Sequence, residues 1–88
     1  MSVSAYILLK VNSGMEKEVC KKVAELPEVN VASIIYGEYD IVARVSVVSL
    51  HVLEDFLADK IAKIAGVVLT STMIVAQEFK GKSERNSK

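Results

Sequence analysis

Residues 29–48 read "VNVASIIYGEYDIVARVSVV". Two runs rich in Val and Ile, Val29 to Tyr36 and Asp40 to Val48, flank a short link, as in a pair of strands. Gly37 opens the positive-φ region to the backbone, so the link reads as a hairpin turn and the two strands as antiparallel neighbours. The turn is unusual for its side chains. Where a plain Asn-Gly would close a hairpin, this one carries Gly37, the Glu38 carboxylate, the Tyr39 ring and the Asp40 carboxylate, with Tyr36 just before them.

Working outward toward the N-terminus, Val3, Ala5, Ile7, Leu9 and Val11 fall on one face of a period-2 strand, and Ser4, Tyr6, Leu8 and Lys10 on the other. Between this strand and the hairpin, "NSGMEKEVCKKVAELPE" has helical spacing. Met15, Val19, Val23 and Leu26 recur every three or four residues, with Cys20 and Ala24 widening the stripe. Ser13 and Glu16 have capping-box spacing, and Pro27 ends the helix. Toward the C-terminus, Ser49 is placed to cap a second helix whose apolar face is Leu50, Leu53, Leu57, Ile61 and Ile64, with Gly66 as the residue that leaves it. A fourth strand follows in "VVLTSTMIVAQEF". The tail "KGKSERNSK" has no apolar residue to anchor it, so residues 1–79 are expected to form one domain and 80–88 a flexible polar tail.

The order is β-α-β-β-α-β. Short links and right-handed crossovers turn that order into a ferredoxin-like α+β sandwich, a four-stranded antiparallel sheet with two helices on one face. The other face then has no helix to cover it. Tyr6, Leu8, Val42 and Arg44 would lie there, joined by Thr70, Thr72 and Ile74 of strand four or by their neighbours. A contiguous apolar patch of this kind marks an interface, so the chain is expected to self-associate through it.

Bulk composition narrows the function. Among 88 residues, eleven basic side chains balance eleven acidic ones, which argues against a phosphate-binding surface and against direct specific DNA binding. Lys80, Lys82, Arg85 and Lys88 make the tail basic against Glu84, a charge set better read as solvated than as a nucleic-acid site. One cysteine and one histidine exclude an internal disulfide and leave no ligand set for a metal. No apolar run reaches the ~18–20 residues of a membrane span, and "MSVSAYILLK" lacks the pattern of a leader peptide. A cytoplasmic protein without metal or cofactor is expected. Catalysis finds no support either: Cys20 falls in the buried stripe of the first helix, His51 stands at the surface of the second without a partner motif, and no phosphate loop or nucleophile motif occurs. No catalytic residue is assigned.

The hairpin tip offers acceptors suited to an ammonium group, and "TST" at Thr70, Ser71 and Thr72 offers hydroxyls suited to a carboxylate. Together they would read both ends of a free amino acid. Read as structure alone, Glu38 and Asp40 are solvated turn residues, Asp40 bonding its own backbone. Side-chain chemistry leaves both readings open.

Gly14, "LPEV" at Leu26 to Val29, "GEYD" at Gly37 to Asp40, "GV" at Gly66 and Val67, and Thr70 with Thr72 occur in an order that resembles the effector-binding domain of the Lrp/AsnC transcription regulators, also called the RAM domain. The resemblance implies a non-enzymatic sensor of a small effector, typically an amino acid, built as sheet-paired dimers assembled into rings, often octamers, with effectors held between dimers. Carried over residue by residue, it makes Gly37, Glu38, Tyr39 and Asp40 one wall of the site and Thr70, Ser71 and Thr72 its polar contacts. Tyr6, Leu8, Val42, Arg44 and Ile74 would pair the protomers. Full-length members carry an N-terminal helix-turn-helix domain; here the first strand begins at about Val3, so the chain is similar to the stand-alone form, able to join full-length regulators in mixed assemblies. A structural adaptor, or a small ferredoxin-like enzyme, is the competing expectation.

Overall fold

The computed structural model describes residues 2–85. In chain order the elements are β1 (Val3–Val11), α1 (Glu16–Ala24), β2 (Val29–Ile34), β3 (Ile41–Val47), α2 (Leu50–Asp59), a 3-10 turn (Ile61–Lys63), β4 (Val67–Ile74) and a four-residue helix α3 (Lys82–Arg85). The sheet runs β2-β3-β1-β4 with every pair antiparallel. This is the expected split arrangement: the two strands of the hairpin are neighbours, and each helix carries the chain across to a non-adjacent position.

The core lies on one side of the sheet. Ala5, Ile7, Leu9 and Val11 of β1 and Ile41, Ala43, Val45 and Val47 of β3 are buried against Val19, Cys20 and Val23 of α1, Leu53 and Phe56 of α2, and Ile61. No polar side chain is buried among them. Alternation along β1 and β3 follows the pleat, so each second residue is withdrawn from water and the residues between stay half-buried or exposed.

Local details differ from the sequence expectation in informative ways. Ser13 and Glu16 do not form a capping box. Met15 occupies the N-cap with no side-chain cap, and the Glu16 carboxylate accepts from the Gly14 N–H at 3.1 Å. A tight turn at Asn12–Met15, in which the Met15 N–H donates to the Asn12 carbonyl, starts the helix later than the motif implied. Ser49 does cap α2, its Oγ accepting from the Val52 N–H at 3.2 Å. That helix ends at Asp59, and a 3-10 turn carries the chain toward Gly66. Leu50, expected in the buried face, is half exposed, whereas Phe56 takes a core place not assigned to it. Of the tail, residues 82–85 form a single helical turn and 86–88 lie outside the described residues.

Strand register decides which side chains share a face. Residues directly opposite in neighbouring strands point the same way. Tyr6 is opposite Arg44 and Met73; Leu8 is opposite Val42 and Ser71. These, with Val31 and Leu69, make up the bare face. Thr70, Thr72 and Ile74 are opposite Leu9, Ile7 and Ala5, which are core residues. They therefore point to the helix side, a correction to their placement on the bare face. Ile74 is still 51% exposed, because α1 packs chiefly over β2 and β3 and α2 over β3, while the helix layer meets β4 mainly through the 3-10 turn.

One ion pair ties the helix layer to the sheet. Lys60, at the end of α2, donates to Glu28 at 2.7 Å, just before β2. That hydrogen bond holds the Glu28 carboxyl below its usual range, and burial opposes it. A lowered folded-state value means that the stabilisation is present above the unfolded carboxyl's titration and is lost as pH falls through the folded one. Unfolding by urea, followed from about pH 6 down to about pH 3, is expected to show stability falling in that window, and Lys60→Met should flatten that part of the profile.

Candidate ligand-binding site

The hairpin tip is anchored at one end and bare at the other. The Ile35 N–H donates to the Asp40 carbonyl at 2.9 Å, closing the loop, and the Asp40 N–H donates to the Leu9 carbonyl at 2.9 Å. Asp40 Oδ2 accepts from the Val11 N–H at 2.9 Å, a part-buried bond across to β1. The Lys10 ammonium donates to the Glu38 carbonyl at 2.9 Å. Tyr36, Gly37 and Glu38 are exposed, Tyr39 and Asp40 half-buried. Gly37 takes φ +153°, a backbone setting that side-chain-bearing residues rarely adopt, with open space where a Cβ would sit.

Asp40 thus bonds neither its own backbone, as the turn reading held, nor solvent alone. It fastens the start of β3 to the end of β1 and leaves Oδ1 for another partner. Asp40→Ala strands the Val11 N–H and is expected to cost about 1–3 kcal/mol of stability, measured by urea unfolding. Asp40→Asn keeps an acceptor there and should cost less.

The hydroxyls of β4 stand at the level of the turn, since Leu9 is opposite both Ile41 and Thr70. They are not beside it. β1 lies between, so the turn and β4 are two strand spacings apart, about 10 Å. Nor do the three hydroxyls converge: Ser71 points to the bare face, Thr70 and Thr72 to the helix side. A single chain therefore does not close a pocket from these residues.

Other groups gather at the far end of the sheet. Arg44 makes a two-pronged ion pair with Glu78, Nη1 to Oε2 at 2.7 Å and Nη2 to Oε1 at 3.0 Å, while Nη2 lies 3.5 Å from Ser4 Oγ. Its guanidinium sits 5.7 Å from the centre of the Tyr6 ring. The pair holds the Glu78 carboxyl below its usual range. An open cleft of about 510 Å³ beside it is lined by Asn30, Arg44, Ser46, Glu78 and Phe79. A second, of about 690 Å³, lies along Tyr6, Met73 and Phe79. Glu78 follows Arg44 by 34 positions, a separation at which no periodicity or motif signals a contact.

Cys20 is buried, and burial pushes its thiol up, away from the reactive thiolate. His51 is a surface residue within 4.0 Å of Glu54 and Asp55 on its own helix. Among the described residues no helix is long and apolar enough to cross a membrane, and no cluster of three metal-ligating side chains occurs.

A four-stranded antiparallel sheet roofed on one side by two helices is a ferredoxin-like α+β sandwich. The Lrp/AsnC ligand binding domain model matches residues 4–84, and the chain belongs to that family. It is 44% identical over 73 residues to the HTH-type transcriptional regulator PF1231 of Pyrococcus furiosus, covering 83% of this chain and 49% of that one. It is 37% identical over 83 residues to the HTH-type regulator FL11 of Pyrococcus horikoshii, covering 94% and 54%. The chain thus spans about half the length of the curated relatives it matches. Among solved structures, PHS023 of Pyrococcus horikoshii is 41% identical with a TM-score of 0.80, covering 86% of this chain and 92% of that one. E. coli AsnC is 28% identical with a TM-score of 0.84, covering 91% and 54%. NMB0573 of Neisseria meningitidis, solved as an L-Met complex, shares the fold at 21% identity and a TM-score of 0.81, covering 90% and 53%.

Proposed function

We propose that this domain is a non-enzymatic sensor. It binds a small effector, an amino acid, in clefts formed where copies meet, and it influences transcription without contacting DNA itself. The observation that carries this reading is the match to a ligand-binding domain over residues 4–84, joined to an acidic turn whose backbone and Asp40 Oδ2 are tied to β1 while the Glu38 carboxylate and Asp40 Oδ1 make no hydrogen bond among the described residues. The L-Met complex of NMB0573 supports an amino acid as the effector class.

In this reading Gly37, Glu38, Tyr39 and Asp40 of one copy form one wall, with the Glu38 side chain and Asp40 Oδ1 receiving the ammonium group. The opposite wall comes from β4 of another copy, through Ser71 on the bare face or Thr70 and Thr72 at the edge. Tyr6, Leu8, Val42 and Arg44 pair protomers into dimers, and dimers assemble into a ring such as an octamer. Full-length Lrp/AsnC regulators are the natural partners in the cell, where the protein acts in the cytoplasm, because the same pairing surfaces would let this domain enter their assemblies.

Isothermal titration of the assembled protein with each common amino acid tests the sensor. Saturable binding is expected, weakened by Asp40→Asn, which keeps the acceptor toward Val11 and removes the charge. Silence from a folded oligomer overturns the sensor. Sedimentation tests the face: Val42→Glu buries a charge in the proposed dimer contact and is expected to release monomers, and an unchanged oligomer would remove that interface.

A further inference from the structure

Beyond β4 the chain does not leave the sheet. The Val75 N–H donates to the Ser4 carbonyl at 2.9 Å, and residues 75–81 then run without regular structure to the short helix α3. On the way Glu78 accepts two hydrogen bonds from Arg44 of β3, at 2.7 and 3.0 Å. Because β1 lies between β4 and β3, the segment has crossed two strand spacings, about 10 Å. The four residues after Ile74 span that distance only when extended, since their reach is about 13 Å. The crossing is on the bare side, where Arg44 is opposite Tyr6. The open cleft of about 510 Å³ separates segment from sheet: Asn30, Arg44 and Ser46 line it on one side, Glu78, Phe79 and Lys80 on the other.

Charge holds this segment down, and burial does not. Phe79, its one large apolar side chain, is 82% exposed, so little apolar area is withdrawn from water by the crossing. The two-pronged pair fixes direction as well as distance. It is also wet, with the Arg44 side chain 29% and the Glu78 side chain 39% exposed. A pair of that exposure is weak and is screened by salt.

We infer that residues 75–85 form a strap latched by the Arg44–Glu78 pair, which covers the Tyr6–Arg44 end of the bare face when closed and uncovers it when open. Stacked sheets sit about 10 Å apart, a gap filled by their own side chains. An extended backbone lying between them holds a second layer off that end of the face. Leu8 and Val42, further from Val75 along β1 and β3, stay outside its path. The strap thereby opposes the pairing of copies through this face; that consequence rests on the function proposed above, whereas the latch itself does not.

The chain has no tryptophan, so Phe79→Trp at this exposed position places a single indole on the strap. Its fluorescence anisotropy at submicromolar protein is expected to be high in low salt and to fall when Glu78→Ala is added. Raising salt to about 1 M, where charges are screened beyond about 3 Å, should bring the latched protein down toward the Glu78→Ala value and leave Glu78→Ala itself unmoved. Equal anisotropy with and without Glu78 at low salt overturns the latch. Sedimentation of the full chain reads the consequence. An exposed pair shifts closing by at most about fivefold, and two straps must open for each pair of copies, so Glu78→Ala should tighten association by about two- to twentyfold. Association left unchanged or weakened overturns the strap as an inhibitor. Association absent from both proteins removes the pairing reading instead, and the indole signal still decides the latch.

Discussion

Ile7→Ala is expected to cost about 2–5 kcal/mol, enough to leave the domain partly unfolded at moderate temperature. Ile7 is fully buried at the middle of β1, one of the two interior strands, opposite Ala43 and Thr72. Both helices reach the same core, so the cavity left by three carbon atoms has little freedom to collapse. A domain of 88 residues holds roughly 4–13 kcal/mol in total, which makes this one side chain a large part of it. Chemical unfolding of the variant should show a lower midpoint with an unchanged slope. A cost under about 1 kcal/mol would mean that α1 and α2 pack more loosely on β1 than their burial indicates. The same truncation at Val31, exposed on β2, is expected to change little.

Gly66→Ala carries the second large effect. Gly66 adopts φ +98°, and a Cβ built there lies 2.8 Å from Met15 Cε, 3.0 Å from its Sδ and 3.1 Å from Val19 Cγ2. A non-glycine residue in this region costs about 1–2 kcal/mol by backbone strain alone. The contacts add to it, because Val19 is held in the core of α1 although the end of Met15 can swing aside. A total of about 2–3 kcal/mol is expected. The two contributions separate in a double-mutant cycle with Met15→Ala. Removing the Met15 side chain should return part of the loss and leave the strain, whereas strict additivity would mean that the side chain moves at no cost. Gly66 also accepts the Asn12 N–H at 2.9 Å through its carbonyl, so the same position sets how β4 enters the sheet beside β1.

These two residues illustrate what local sequence reveals. Ile7 is legible as core from alternation, since Val3 to Val11 switches face at every residue and α1 and α2 each bring one apolar stripe. Local spacing places Gly66 at the exit of a helix. Its constraint is tertiary: α2 stops at Asp59, and the glycine is required because α1 comes within contact distance of the chain there. The Leu50, Leu53, Leu57 stripe satisfies helical spacing without Phe56, yet on β3 the helix presents Phe56 inward and leaves Leu50 half exposed. The capping box at Ser13 failed for a similar reason. Spacing specifies which side chains can reach a helix end, and the turn before it specifies where that end lies.

The candidate site divides along the same line. The "GEYD" turn was legible because a hairpin tip with two carboxylates departs from ordinary turn chemistry; its part as a ligand wall belongs to the proposed function. The role of Asp40 as a clamp on β1 was not legible, because its partner is the backbone of Val11, 29 positions away. The hydroxyl run at Thr70 to Thr72 was legible as composition but misleading as geometry, since a strand sends adjacent side chains to opposite faces. The Arg44–Glu78 pair, joining a mid-sheet cation to the chain beyond β4, had no sequence signal at all.

By itself, the amino-acid sequence determined the element order, the split sandwich, the buried halves of β1 and β3, and the family, because each follows from periodicity or from short motifs whose residues are close in the chain. Tertiary structure alone decided which side of β4 each side chain faces and that the acidic turn and the hydroxyls are held apart by β1. The first is a property of register, since a one-residue slip between strands turns every side chain to the other face while leaving composition, spacing and helix pattern unchanged. The second is a property of strand order, which places β1 between β3 and β4.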